Sequence, residues 1–189
     1  ITLDSSANAF GGAVSFFGDD ASFTRTGAAS LNLGTSTVQT LTLNNNGTIS
    51  DSGTLKVNSG ALIKAADDFT TPTTFFDVTL DSSANSFGSI AFTFAKDATL
   101  VEFGNTVLGA STVASLLVTS SGGISDIGTL TVGTGTTGNA RLTANGGEIE
   151  LDDSASTFAG TVDLTGTNVS IYDNDATGTN LGVVNADGT

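Results

Sequence analysis

The sequence predicts an all-β protein, a parallel β-helix or β-solenoid of roughly 9–10 turns, and three observations predict it. One stretch begins three times: residues 1–12 read ITLDSSANAFGG, 78–89 read VTLDSSANSFGS and 149–160 read IELDDSASTFAG. Asp4 recurs as Asp81 at an offset of 77, and Asp81 as Asp152 at an offset of 71. A second block, LGTSTVQTLTLNNNGTISDSGTLKV from Leu33, returns without a gap as LGASTVASLLVTSSGGISDIGTLTV from Leu108, an offset of 75. Finally, short runs of alternating apolar and polar residues are punctuated by Gly, Asn, Asp and Ser, and helical spacing is missing. Fixed-period repeats of this kind bury apolar faces against neighbouring units rather than around one centre.

The 189 residues read as a single repeat array, 1–189, with modules 1–77, 78–148 and a partial third module 149–189. A turn of ~20 residues puts three or four turns in a module, and strands about 4.8 Å apart make the whole a rod ~45 Å long. The array opens and stops inside repeats and reads as a piece of a longer polypeptide.

In chain order, Ile1-Thr2-Leu3 opens module one as an I/V-x-L strand, and its counterparts are Val78-Thr79-Leu80 and Ile149-Glu150-Leu151. Leu3, Leu80 and Leu151 are expected at equivalent interior positions. Val14 and Phe16 correspond to Val162 and Leu164 at an offset of 148 and are expected to point inward. Leu41-Thr42-Leu43 is a strand closed by Asn44-Asn45-Asn46-Gly47, and Leu55-Lys56-Val57 is one closed by Asn58-Ser59-Gly60. In module two Ile90, Phe92 and Phe94 are one residue out of step with Val14 and Phe16, which predicts a bulge or shortened turn near Gly88-Ser89, because a one-residue slip reverses every side chain. Phe10, Phe87 and Phe158, six residues after the repeated Asp, are expected to fill a corner of the core; their alternative role is a stacking platform for sugar rings.

Composition narrows the function. His, Cys, Met and Trp are absent, and 19 Asp and Glu face 5 Lys and Arg, for a net charge of −14. That sign argues against nucleic acid and against adhesion to anionic lipid by charge. No run approaches the roughly 18 apolar residues of a membrane helix, so no membrane insertion is expected. Without His or Cys the usual acid–base and thiol chemistry is unavailable. A polysaccharide-active enzyme with paired carboxylates is the remaining catalytic reading, but the acidic motif repeats with the module instead of marking one irregular place. The chain is read as not an enzyme.

Acidic groups recur at Asp19-Asp20, Asp67-Asp68, Asp152-Asp153 and Asp173-Asn174-Asp175. Closely spaced carboxylates with an Asn carbonyl match the oxygen ligands of Ca²⁺, so Asp152, Asp153, Asp173, Asn174 and Asp175 are the candidate metal residues, and Ca²⁺ the one candidate cofactor. The bland reading is a set of solvated turns that keep the rod soluble. Thr35-Ser36-Thr37, Thr40-Leu41-Thr42, Thr70-Thr71 and Thr136-Thr137 raise an ice-ordering face, which needs Thr at the same place in each turn; in the sequence the clusters move.

ITLDSSANAFGGAVSF, LGTSTVQTLTL and GGISDIGTLTV resemble the repeats of very large bacterial surface proteins of the filamentous-haemagglutinin type. The resemblance covers essentially the whole chain and is to a style of repeat. It implies a right-handed parallel β-helix, export to the bacterial cell surface, and a role in adhesion, biofilm or fibre formation. The expected function is therefore a structural shaft segment of an extracellular adhesin or surface fibre. The alternative is a lateral face that binds cell-surface carbohydrate or calcium. The expected partners are neighbouring repeats of the same parent chain, or further copies joined end to end.

Overall fold

Strands with an apolar residue at every second position leave one face to bury, and here they bury it by coiling. In the computed structural model, which describes residues 1–5, 7–133, 138–175 and 178–187, the chain is a parallel β-solenoid of about 9 turns, with no helix among the described residues. Two parallel sheets enclose the core. The first runs through Thr2–Leu3, Phe17–Arg25, Ser36–Asn45, Leu55–Ala65, the opening of Ile90–Glu102, Thr106–Leu108, Ile124–Asp126, Ile149–Leu151 and Val169–Ile171. The second runs through Leu31–Leu33, Ile49–Asp51, Val78–Leu80, the close of Ile90–Glu102, Ser111–Ser120, Ala140–Ala144, Thr161–Gly166 and Asn180–Ala186.

The register is regular at first. Thr2 lies opposite Ser22, Ala21 opposite Leu41 and Leu41 opposite Ala61, so the residue number advances by 20 at each rung. Ala61 lies opposite Ile90, an advance of 29, because residues 66–76 leave the coil as a loop closed by the antiparallel bridge Ala66–Phe75. Inward side chains form continuous columns: Phe23, Leu43, Ile63 and Phe92 on the first sheet, and Leu80, Leu100, Val118, Leu142 and Leu164 on the second, all at most 1% exposed. Burying a Leu or Phe contributes roughly 1.5–3 kcal/mol, so these columns supply most of the cohesion between turns.

A module is three and a half turns, within the three or four expected, and the half turn sets where its repeats fall. Leu3 starts on the first sheet, with Phe23, Leu43 and Ile63 stacked above it, yet its repeat Leu80 belongs to the second sheet. From there the column climbs through Leu100, Val118 and Leu142, and the next repeat, Leu151, is back on the first sheet. Successive modules are thus related by half a turn about the rod. Ser36–Asn45 lies in the first sheet, and its sequence counterpart Ser111–Ser120 in the second. The 13-residue strand Ile90–Glu102 makes the exchange, pairing through Ile90 and Phe92 with Leu55–Ala65 and through Ala98 and Leu100 with Val78–Leu80.

Leu80 and Leu151 are fully buried, and Leu3, on the first rung, is partly buried against the same core. Val14, Phe16, Val162 and Leu164 all point inward, as their spacing predicts. The module-two irregularity lies a few residues beyond Gly88-Ser89, which form a corner. Ile63 faces Phe92 while Lys64 faces Phe94, so Thr93 is the extra residue. The bulge turns Phe94 outward, where its ring lies 6.2 Å from that of Phe75 and 5.5 Å from Lys64 Nζ, beneath the 66–76 loop.

One expectation is corrected. Phe87 and Phe158 fill the core, but Phe10 is 41% exposed, its ring tilted against that of Phe23 at 5.9 Å. The Thr clusters do not stack on one another: Thr37 lies between Phe17 and Lys56, Thr40 between Asp20 and Gly60, and Thr42 between Ser22 and Leu62. Single Thr outside those clusters do stack, Thr112 with Thr131 and Thr157, and Thr119 with Thr143 and Thr165. Turns of unequal length bring them into register. The column beside the latter three is Leu117, Arg141 and Asp163, so no paired Thr ranks form; Thr136-Thr137 lie outside the described residues.

Candidate functional site

At each corner the sheet ladder is interrupted, and a backbone N–H that would be orphaned needs an acceptor. Short inward polar side chains provide it, in the same way in both modules. Ser36 Oγ accepts from Phe16 N at 3.0 Å and donates to Gly34 O, and its counterpart Ser111 accepts from Phe92 N at 3.0 Å and donates to Gly109 O. Asn45 Nδ2 donates to the corner carbonyls of Ala29, Gly47 and Thr48, and its counterpart Ser120 Oγ reaches those of Gly104 and Gly123. The corner is tight: a Cβ on Gly122 would lie 2.2 Å from Asn105 Oδ1, and one on Gly147 2.4 Å from Gly123 N.

The repeated Ile-Ser-Asp carries the same logic. Asp51 Oδ1 accepts from Asp81 N at 2.9 Å, and Asp126 Oδ1 from Asp152 N at 3.0 Å. The repeated Asp itself is thus held through its backbone, and the Asp4, Asp81 and Asp152 side chains are exposed. Asn85 ties the corner further, giving Nδ2 to Asp51 Oδ2 at 2.7 Å and taking Leu55 N at 2.8 Å. Its counterpart Ser156 takes Leu130 N at 3.0 Å but has no amide to give, and Asp126 Oδ2 is left enclosed and unpartnered.

A third device explains Phe10. Glu102 Oε1 accepts from Phe87 N at 2.6 Å, and Asp173 Oδ1 from Phe158 N at 3.1 Å. The equivalent residue of module one, at the same offset of 77 before Glu102, is Arg25. A guanidinium has donors only and cannot hold the N–H of Phe10. Arg25 turns instead to Asn45 Oδ1, at 3.1 Å, and to Ala29 O, and burial lowers its pKa.

The candidate calcium residues fall into this scheme. Asp153 Oδ1 accepts from Ala155 N at 2.9 Å and Thr129 Oγ1 at 3.3 Å; Asp173 Oδ1 also takes Asp175 N at 3.0 Å; Asn174 N donates to Ser156 O at 2.7 Å. The pairing of Leu151 with Ile171 sets Asp153 and Asp173 on neighbouring rungs. Among the described residues no three acidic side chains converge into a metal-binding group. Asp67 and Asp68 brace the 66–76 loop: Thr73 and Thr74 hold Asp67 well below the usual carboxylate range, and Thr70 and Thr71 lower Asp68.

Sequence reasoning missed Glu102 and Asp126, 2% and 8% exposed. Burial pushes Glu102 up to about 7, and burial raises Asp126 against the N–H groups of Asp152 and Asp153, with the charges of those two residues adding to it. The alternations Ala98-Leu100-Glu102 and Ile124-Asp126 were the available signal, since both place the acid on the inward face. On the outer surface, a groove of about 460 Å³ crosses the first sheet between Asn105, Ser125, Glu148 and Glu150, and an apolar cleft of about 190 Å³ lies between Phe75, Ala95 and Val113.

Residues 18–93 and 95–165 each match the family described as "Repeats of unknown function (DUF5649)". The starts of the two matches, 18 and 95, differ by the same offset that separates Asp4 from Asp81. No curated protein and no solved structure matches the chain.

Proposed function

The chain belongs to the DUF5649 family of repeats, and from that premise we propose that it is a shaft segment of a large extracellular bacterial adhesin or surface fibre, of the filamentous-haemagglutinin type. The observation that carries this reading is continuity: the core columns pass through both module boundaries without a break, and the repeated polar residues are spent on closing corners. A scaffold so built works by length and stiffness, holding a binding region away from the cell, and asks for no catalytic residue. Its partner along the axis is another rung, from flanking repeats or a second copy. Antibody raised against the segment should label intact, unpermeabilised cells that produce the parent protein, and electron micrographs should show rods that lengthen with repeat number. Labelling only after lysis would refute the assignment.

A second reading, carbohydrate binding along the side of the rod, rests on the groove between Asn105, Ser125, Glu148 and Glu150. Its hydroxyl, amide and carboxylate groups suit sugar hydroxyls. A glycan array would test it, with binding lost in E148A/E150A.

A further inference from the structure

Module two encloses two carboxyls, each with one oxygen satisfied and one orphaned. Glu102 Oε1 holds Phe87 N, while Oε2 has no partner within hydrogen-bond distance; the Thr106 hydroxyl is enclosed beside it and likewise unpartnered. Asp126 Oδ1 holds Asp152 N and the Asp153 N–H also acts on the carboxyl, while Oδ2 has no partner within hydrogen-bond distance; Ser156 stands where module one has Asn85. An ionised carboxylate only accepts, whereas the neutral acid brings its own O–H. Enclosing a charge is costly, and at Glu102 burial outweighs the Phe87 N–H and the Thr106 hydroxyl, which both favour the charged form; protonation removes that cost.

We propose that Glu102 and Asp126 form a proton-dependent clasp at the middle of the rod: each is held as the neutral acid in the folded chain, and loss of its proton loosens the rungs where the chain exchanges sheets. Glu102 sits at the end of the exchange strand, on the rung that joins the two half-turns. It faces Phe87 on one side, Ser120 on the next rung and Thr106 across the corner, none of them charged. Asp126 faces Leu108 on the preceding rung, and Asp152 and Asp153 beyond it. The N–H groups of Asp152 and Asp153 favour its charged form and their carboxylates oppose it; burial outweighs the N–H groups and keeps the acid neutral. Module one has no such element: both oxygens of Asp51 have donors, and Arg25 replaces the acid.

The sign follows from the direction of the shifts. Both carboxyls bind protons more tightly folded than unfolded, so the stabilisation is complete below the unfolded value and is lost as pH rises through the folded one. For Glu102 that window runs from 4.5 to about 7.

The test uses the 189-residue chain. Its melting temperature should fall by several degrees from pH 5 to pH 8, and E102Q and D126N, which keep the acceptor and add a permanent donor, should fall less. D51N should lower the melting temperature at both pH values, since it removes an acceptor already in use. The chain has three Glu, at 102, 148 and 150, so carboxyl ¹³C labelling of Glu gives three signals, with Glu102 assigned by elimination through the surface variants E148Q and E150Q. A Glu102 signal that titrates close to neutral pH supports the clasp even if E102Q does not fold. A Glu102 signal that titrates near the ordinary 4.5, or an E102Q/D126N double variant with the same pH profile as the parent, overturns it.

Discussion

Modules one and two share a plan and differ in how completely it is satisfied. At the corner of module one, Asp51 receives the N–H groups of Asp81 and Ser82 and the amide of Asn85, so both its oxygens are occupied. At the corresponding corner of module two, Asp126 receives Asp152 N, Ser156 is too short to supply the amide, and the second oxygen is enclosed alone. At the other corner the positions are reversed: Glu102 in module two holds Phe87 in the core, and Arg25 in module one leaves Phe10 partly outside. A shared strand pattern is therefore compatible with different corner chemistry. In a solenoid the corners, where the ladder breaks, are where a repeat acquires local stability or local sensitivity.

The largest expected effect breaks the core shared by both modules. Leu80→Asp or Leu151→Asp places an uncompensated charge inside a narrow core and should unfold the chain, as read by loss of the β-sheet circular dichroism signal. The milder Leu80→Ala and Leu151→Ala should each cost about 2–5 kcal/mol in urea denaturation, against about 1 kcal/mol for Leu3→Ala on the first rung. Equal costs at all three would show that Leu3 is as enclosed as its repeats. Next, Phe87→Ala should cost about 3–5 kcal/mol and Phe10→Ala under about 1 kcal/mol, because only Phe87 fills the core.

Smaller effects sharpen the corner comparison. Asn85→Ala orphans Leu55 N and leaves Asp51 Oδ2 with only the long contact from Ser82 N, and should cost about 1–3 kcal/mol, whereas Ser156→Ala orphans only Leu130 N and should cost less. A larger loss for Ser156→Ala in the same denaturation series would reverse the assignment. Smallest is calcium, which should leave the melting temperature unchanged. Asp153 and Asp173 already hold N–H donors, and no three acids converge among the described residues. A rise of several degrees on adding millimolar calcium would instead establish an ion site.

Much of the fold was legible because alternation is a direct consequence of the strand: Leu41-Thr42-Leu43, Val78-Thr79-Leu80 and Val162-Asp163-Leu164 each declare one inward face. The half turn was not legible. A repeat length does not give a number of turns when the turns differ, and here the rung from Leu41 to Ala61 is much shorter than the one from Ala61 to Ile90, which carries the 66–76 loop. The corner devices were hidden for a related reason: a Ser or Asn in a turn-rich stretch looks like any other until the broken ladder shows which N–H it must hold. Glu102 and Asp126 lay on the inward face by simple alternation, but a carboxyl there reads as the end of a strand unless its burial is known. Asp152, Asp153 and Asp173 stood out by their charge, yet the structure uses Asp153 and Asp173 as backbone acceptors and Asp152 through its N–H.

The half-turn relation between modules is the central claim, and spin labels test it most directly. Thr42 and Leu117 are sequence equivalents at the offset of 75, on the outer faces of opposite sheets, while Val107 lies on the same sheet as Thr42. With rungs about 4.8 Å apart and sheets about 10 Å apart, labels at 42 and 107 should be roughly 15 Å apart, and labels at 42 and 117 roughly 25 Å. Pulsed electron spin resonance on the two double-labelled chains should return that difference. Similar short distances for both pairs would mean that equivalent residues stack on one face, and the half turn would be wrong.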